Sequence, residues 1–222
     1  MKKSFLVVSF ALASLAGNAQ AMVGNSLGSG GGMLIFRKSH EFNDASIGGS
    51  RYLTEQFNLA KVNKGTRDFM IRYNAYNDLM EYKDGNEILE LIKDQNTYFQ
   101  FANGEVFELL NYTIEGNEYS RYHQILVNGN NVKVSKYKSI KLNPAKSASN
   151  SYETGSAASF KPNKDVYFVT YNNQTIEFDG KSKSLEKLIP STASEIRKFF
   201  KEKTIRENDA DMIKVGNFLS GL

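Results

Sequence analysis

From residue 69 onward the chain repeats one small pattern. A run of alternating apolar and polar residues is followed by a few turn-formers, then by another such run. Phe69, Ile71 and Tyr73 alternate with Met70, Arg72 and Asn74, the period of a strand with one apolar face. Asn74 to Asp78 supplies turn residues, and Leu79-Met80-Glu81-Tyr82 returns. Asp84-Gly85, Asn103-Gly104, Glu115-Gly116-Asn117 and Asn128-Gly129-Asn130-Asn131 separate strand candidates at 88–92, 98–101, 106–110, 112–114, 119–127 and 132–142. A last hairpin joins 166–171 to 175–178 across Asn172-Asn173. Connections of about two to five residues join antiparallel neighbours, because a parallel pair needs a crossover of a dozen or more. Between these runs, residues 143–163 are rich in Ser, Ala, Asn and Lys and carry Pro144 and Pro162. They read as a long surface loop.

The period changes after residue 180. Ser182 or Ser184 can cap a short helix bearing Leu185, Leu188 and Ile189, which Pro190 stops. Thr192-Ala193-Ser194-Glu195 has the form of a capping box ahead of Ile196, Phe199 and Phe200 on one stripe. Asn208 can cap a third helix with Met212, Val215 and Leu219 on its buried side. Helices this short need a surface to pack on, and the sheet is that surface. The expected fold is β-rich α+β. It has a curved antiparallel sheet or partial barrel of roughly ten strands over 51–180, and a C-terminal cap of two to three short helices over 181–222.

The first 21 residues read as a signal peptide. Lys2 and Lys3 precede an apolar run from Phe5 to Ala16, and Ala19-Gln20-Ala21 is a small-x-small cleavage pattern. The run is too short for a comfortable membrane span, and no later segment approaches the ~18 consecutive apolar residues of a spanning helix. The expectation is cleavage near Ala21, a periplasmic or extracellular location, and no transmembrane segment in the mature chain. Residues 22–50 read as a glycine-rich flexible leader and loop, with Met33-Leu34-Ile35-Phe36 as a short first strand. The net charge of +4 includes Lys2 and Lys3, so the mature chain is nearly balanced. That balance asks for no nucleic acid.

Composition removes many chemistries. There is no Cys, which excludes disulfides, thiolate metal sites and cysteine nucleophiles. The two histidines, His40 and His123, lie far apart and read as solvated or packed rather than ligating. The glycine run 28–32 leads into Met33-Leu34-Ile35 instead of Lys-Ser/Thr, so it is no phosphate loop. No Gly-x-Ser-x-Gly elbow is present. Asp78 and Glu81 fall on opposite faces at strand spacing, which argues against a simple carboxylate pair. Lys133, Lys136, Lys138 and Lys141 split between two faces and read as protection of an edge strand. No catalytic, metal-binding or cofactor-binding residue is assigned. The 12 Tyr and 15 Phe suit a core or a pocket beneath a curved sheet.

Several blocks carry a resemblance. They are Gly48-Gly49-Ser50-Arg51-Tyr52-Leu53, then Ile71-Arg72-Tyr73-Asn74-Ala75-Tyr76-Asn77-Asp78-Leu79-Met80-Glu81, then Tyr137-Lys138, Tyr167-Phe168 and the tail residues Leu188-Ile189-Pro190, Ile196, Phe199, Asp211 and Ile213. From about Gly48 to the end the chain resembles a family of small exported proteins of Bacteroidetes-type bacteria. The resemblance implies export and a strands-then-helices layout, and it transfers no catalytic residue. Within the second block, Arg72 can pair with Glu81 across the hairpin, and Asn74 and Asn77 can bond the turn. Arg72 and Tyr76 are the candidate binding residues. The leading functional reading is a non-enzymatic envelope or secreted protein that binds a lipid, a glycan or another protein. The alternatives are an accessory subunit of an outer-envelope complex and a carboxylate-dependent hydrolase.

Overall fold

The computed structural model describes residues 22–26, 33–39, 46–63, 65–93, 97–147 and 155–222. Residues 1–21, read as a signal peptide, the glycine run 28–32 and His40 lie outside them.

Met22–Ser26 (β1) and Met33–Lys38 (β2) form an antiparallel pair. Asn58–Val62 (β3), Asp68–Asn74 (β4), Leu79–Asp84 (β5) and Glu87–Leu91 (β6) form a meander. Tyr98–Phe101 (β7), Val106–Ile114 (β8), Asn117–Asn128 (β9) and Val132–Tyr137 (β10) form a second one. Ile140–Asn143 (β11) and Ser159–Pro162 (β12) make a separate two-stranded ribbon. Val166–Tyr171 (β13) and Gln174–Glu177 (β14) are the last hairpin. All but β11 and β12 join one 12-stranded antiparallel sheet in the order β1-β2-β6-β5-β4-β3-β7-β8-β9-β10-β13-β14, and the sheet is not closed.

The count exceeds the roughly ten expected, for local reasons. The alternation in β3 and β12 is too brief to register, and the run at 132–142 breaks into β10 and β11. Candidates 106–110 and 112–114 are instead one strand, β8. Met22–Ser26, in the segment read as leader, pairs with β2. The segment read as a long loop carries β12 and a further bridge between Lys146 and Ser156.

The sheet curls twice, in opposite senses. Tyr73 on β4 and Tyr122 on β9 are four strand spacings apart, about 19 Å in a flat sheet at ~4.8 Å per step. Their ring centroids lie 6.4 Å apart. The face that carries them is therefore concave. It encloses the first core, with Phe36, Phe69, Met80, Phe99 and Phe107 around these two tyrosines. Tyr112 on β8 and Phe168 on β13 are three spacings apart, yet their centroids are 5.2 Å apart, and β14 comes to lie against β8. Tyr112 and Phe168 belong to the opposite face, as the β8–β9–β10–β13 registers require. Strands β8 and β9 thus serve both curls.

Where the curls diverge, β9 loses a strand partner. Its pairing with β10 runs only as far as Gln124. Past that point side chains serve its edge. Asp78 Oδ1 accepts the Tyr122 N–H at 3.1 Å, and Lys93 Nζ donates to the Ser120 carbonyl at 2.9 Å. Lys93 and Asp78 also pair with each other at 2.5 Å.

Three helices, Ser182–Leu188 (α1), Ala193–Glu202 (α2) and Asp209–Ser220 (α3), cover the convex side of the second curl. Leu185, Ile196, Met212, Val215 and Leu219 pack with Val132, Val134, Tyr167 and Val169. Asn208 caps α3, its side chain accepting from the Asp211 N–H at 3.0 Å. The other two expected caps do not form. Ser182 is the first residue of α1 rather than its cap, and Thr192 closes a 3₁₀ turn, Pro190–Thr192, with no side-chain bond to α2. The 3₁₀ turn feeds directly into α2, so Thr192 already lies inside a helical turn.

Candidate functional site

Arg72 stands on the outer face of the first curl, directly opposite Glu81, which stands opposite Glu90, which stands opposite Arg37. Two like charges side by side on a sheet repel, and an arginine at each end of the row offsets this. Arg72 Nε donates to Glu81 Oε2 at 2.8 Å, and Arg37 Nε donates to Glu90 Oε2 at 3.0 Å. Arg72 also donates to the Tyr52 hydroxyl at 2.6 Å and to the Glu55 carbonyl at 3.2 Å. Its guanidinium lies between the rings of Tyr52 and Phe57, at 3.6 and 4.3 Å from their centroids. Glu81 is 1% exposed and takes a further bond from Asn74 Nδ2 at 2.9 Å. Burial, then the Glu81 charge, pushes the Tyr52 hydroxyl upward. This is a structural clamp with its donors in use. Tyr76 sits apart from it, its ring edge-on to Phe160 at 5.1 Å and its N–H bonded to the Arg51 carbonyl. The hairpin turn forms as its residues suggest, with Asn74 Oδ1 accepting from the Asn77 N–H at 3.1 Å.

A different set of residues converges in the second curl. Residues alternate along β9, so Tyr119, Arg121 and His123 share its concave face. Tyr112 comes from β8, Ser135 and Tyr137 from β10, and Val166 and Phe168 from β13. The floor is dry. His123 and Ser135 are fully buried, and the His123 ring bonds Ser135 Oγ at 3.1 Å and the Tyr112 hydroxyl at 3.2 Å. Burial, helped by the Arg121 and Lys133 charges, pushes His123 down to about 3, so the ring is neutral at pH 7. Burial pushes the Tyr112 hydroxyl up to about 12 against the lowering effect of the Arg121 charge. At the far end of the curl, Lys133 pairs with Glu108 at 2.6 Å.

The mouth is a cleft of about 120 Å³ lined by Tyr112, Ile114, Tyr119, Arg121, Tyr137, Val166, Phe168 and Glu177. Arg121 lies against two rings, 4.5 Å from the Tyr119 centroid and 4.7 Å from that of Tyr137. Tyr112 and Tyr119 stack at 5.4 Å. Among the described residues, no ion pair engages Arg121, whereas Arg72, Lys93, Lys133 and Lys136 are each paired with a carboxylate. Arg121 lines the cleft with the rings of Tyr119 and Tyr137 against it, and an arginine carries five N–H donors in a planar fork.

Comparison with family models, curated proteins and solved structures yields no match. The site is read from its own chemistry.

Neither Arg72 nor Tyr76 lines this cleft. The sequence reads His123 as solvated or packed, and the structure buries it; the sequence places Tyr137 only within a resemblance and does not connect the two. The available signal was the period-two row Tyr119-x-Arg121-x-His123, an aromatic, a cation and an imidazole on one strand face. Lys133 and Lys136 do not protect an edge, because β10 lies inside the sheet between β9 and β13, whereas Lys141 stands exposed on β11 of the two-stranded ribbon. Lys133 pairs on one face, and Lys136 pairs with Asp209 on the other at 2.8 Å. Among the described residues no group of three or more His, Asp and Glu stands together as a metal site would require.

Proposed function

We propose that the chain is an exported, non-enzymatic binding protein of the cell envelope or exterior, with its ligand in the cleft of Tyr112, Tyr119, Arg121 and Tyr137. The observation that carries this is a guanidinium that, among the described residues, has no ion-paired carboxylate and lies against two tyrosine rings at the mouth of a concave sheet. Concave sites with a few convergent polar groups among aromatic and apolar side chains are where small ligands bind. Export is supported by Lys2, Lys3, the apolar run and Ala19-Gln20-Ala21, and by the resemblance to small exported proteins.

The carboxylate-hydrolase reading has less support. Asp78 is engaged by Lys93, Tyr73 and the Tyr122 amide, and Glu81 by Arg72 and Asn74. Glu177 is the one acid in the lining of the cleft. The accessory-subunit reading would draw on Leu59 and Met70, which face each other across β3 and β4 and are 50% and 38% exposed. That pair by itself is smaller than the several hundred Å² expected of an interaction patch, and the exposed Met33 and Ile35 stand on β2, separated from β4 by β6 and β5.

Native mass spectrometry of the full chain, gently extracted from its own envelope, tests the proposal. The expected result is a reproducible small adduct. A bare monomer, or a protein complex without an adduct, would overturn it and favour the accessory reading. The same spectrum checks export, since the expected mature mass begins at Met22 and an intact residue 1–21 segment would contradict it.

A further inference from the structure

Resting on that reading of the cleft, we infer that its ligand is a single sugar ring bearing a carboxylate, a uronic acid. Size sets the first limit. A cleft of about 120 Å³ is close to the ~150 Å³ that admits one benzene ring, so it takes one six-membered ring with its substituents toward solvent. Charge sets the second. Arg121 is the cation of the lining, with two tyrosine rings against it, and a guanidinium's planar fork of donors is the geometry that meets a planar carboxylate. The rest of the lining sets the third. Tyr137 lines the cleft as a phenol that keeps its proton at neutral pH, its hydroxyl raised further by burial, and Glu177 stands exposed at the rim. These are a donor and an acceptor for ring hydroxyls, which an aromatic acid would leave unused. A neutral sugar would leave Arg121 unanswered. A uronic acid answers all of these groups together.

The test is titration of the isotope-labelled full-length mature protein with D-glucuronate and, separately, D-glucose, followed by amide chemical shifts. Glucuronate is expected to move the amides of residues 119–123 and 137. It should bind roughly tenfold or more tighter than glucose, the worth of one charge-assisted hydrogen bond. Raising salt to about 0.5 M should weaken glucuronate several-fold and leave glucose unchanged. Arg121→Gln should bring the two sugars to equal affinity. The salt series on the parent carries the same information should that variant fail to fold. Equal binding of the two sugars by the parent, or shifts confined to other parts of the chain, would overturn the inference. An envelope-derived adduct that is not an acid would overturn the ligand class and leave the cleft as the binding site. No adduct and no shift with either sugar would overturn both.

Discussion

Arg72 and His123 show how a single residue can be read two ways. Arg72 looked available for a ligand, yet it neutralises a carboxylate that is 1% exposed. Removing it strands that charge, so Arg72→Ala should cost about 3–5 kcal/mol in urea denaturation. Adding Glu81→Gln should recover much of the loss, and a loss under ~1 kcal/mol would contradict the clamp. His123 gives a pH dependence with a definite sign. Unfolded, it takes a proton below about 6.5, whereas folded it stays neutral down to about 3. The unfolded state therefore binds more protons in that window. Stability falls as pH drops through it, by up to ~1.4 kcal/mol per pH unit. His123→Gln should flatten this limb relative to the parent between pH 7 and 5. A parent whose His123 ring titrates near 6.5 by NMR would contradict its burial. Across the hairpin Arg72 meets Glu81 as its register suggests, but the partners it finds at Tyr52 and Glu55 come from a separate segment that period and residue type do not bring to it.

At the scale of elements, alternation and turn chemistry were legible and caps less so. Hairpins at Asp84-Gly85, Asn103-Gly104 and Glu115-Gly116 form as their residues suggest, with Gly85, Gly104 and Gly116 at positive φ. Thr192 was misread because a capping box looks the same whether the preceding residue is extended or already turning, and here a 3₁₀ turn precedes it. The seat of α3 on the sheet depends on a residue that pattern reading passes over. A Cβ at Gly216 would stand 2.7 Å from Val127 Cγ2 and 2.9 Å from Val134 Cγ2. Gly216→Ala should therefore destabilise by about 1–3 kcal/mol despite the gain in helix propensity. A thermal midpoint equal to or above the parent's would mean α3 does not rest on β9 and β10. Gly49 makes the same kind of close approach. Its φ is +78°, and a Cβ there would lie 2.5 Å from the Phe160 carbonyl oxygen, so Gly49→Ala should loosen the ribbon of β11 and β12 and expose its amides to hydrogen exchange.

At the scale of the molecule, the fold class was in the sequence and the site was not. Strands, short connections and a helical tail give a curved antiparallel sheet with a cap. Period-two alternation gives each strand two faces, but it does not say that a sheet will turn one face inward over β4 to β9 and the other over β8 to β14. That reversal decides that Tyr119, Arg121 and His123 face a cleft instead of solvent, and that Tyr122 beside them faces the main core. The central claim is that this reversal builds a ligand site. Native mass spectrometry of the envelope-extracted parent beside a Tyr119→Ala/Tyr137→Ala variant tests it most directly, with circular dichroism to verify that the variant is folded. The account predicts a small adduct on the parent and none on the folded variant. An adduct carried equally by both proteins would contradict it.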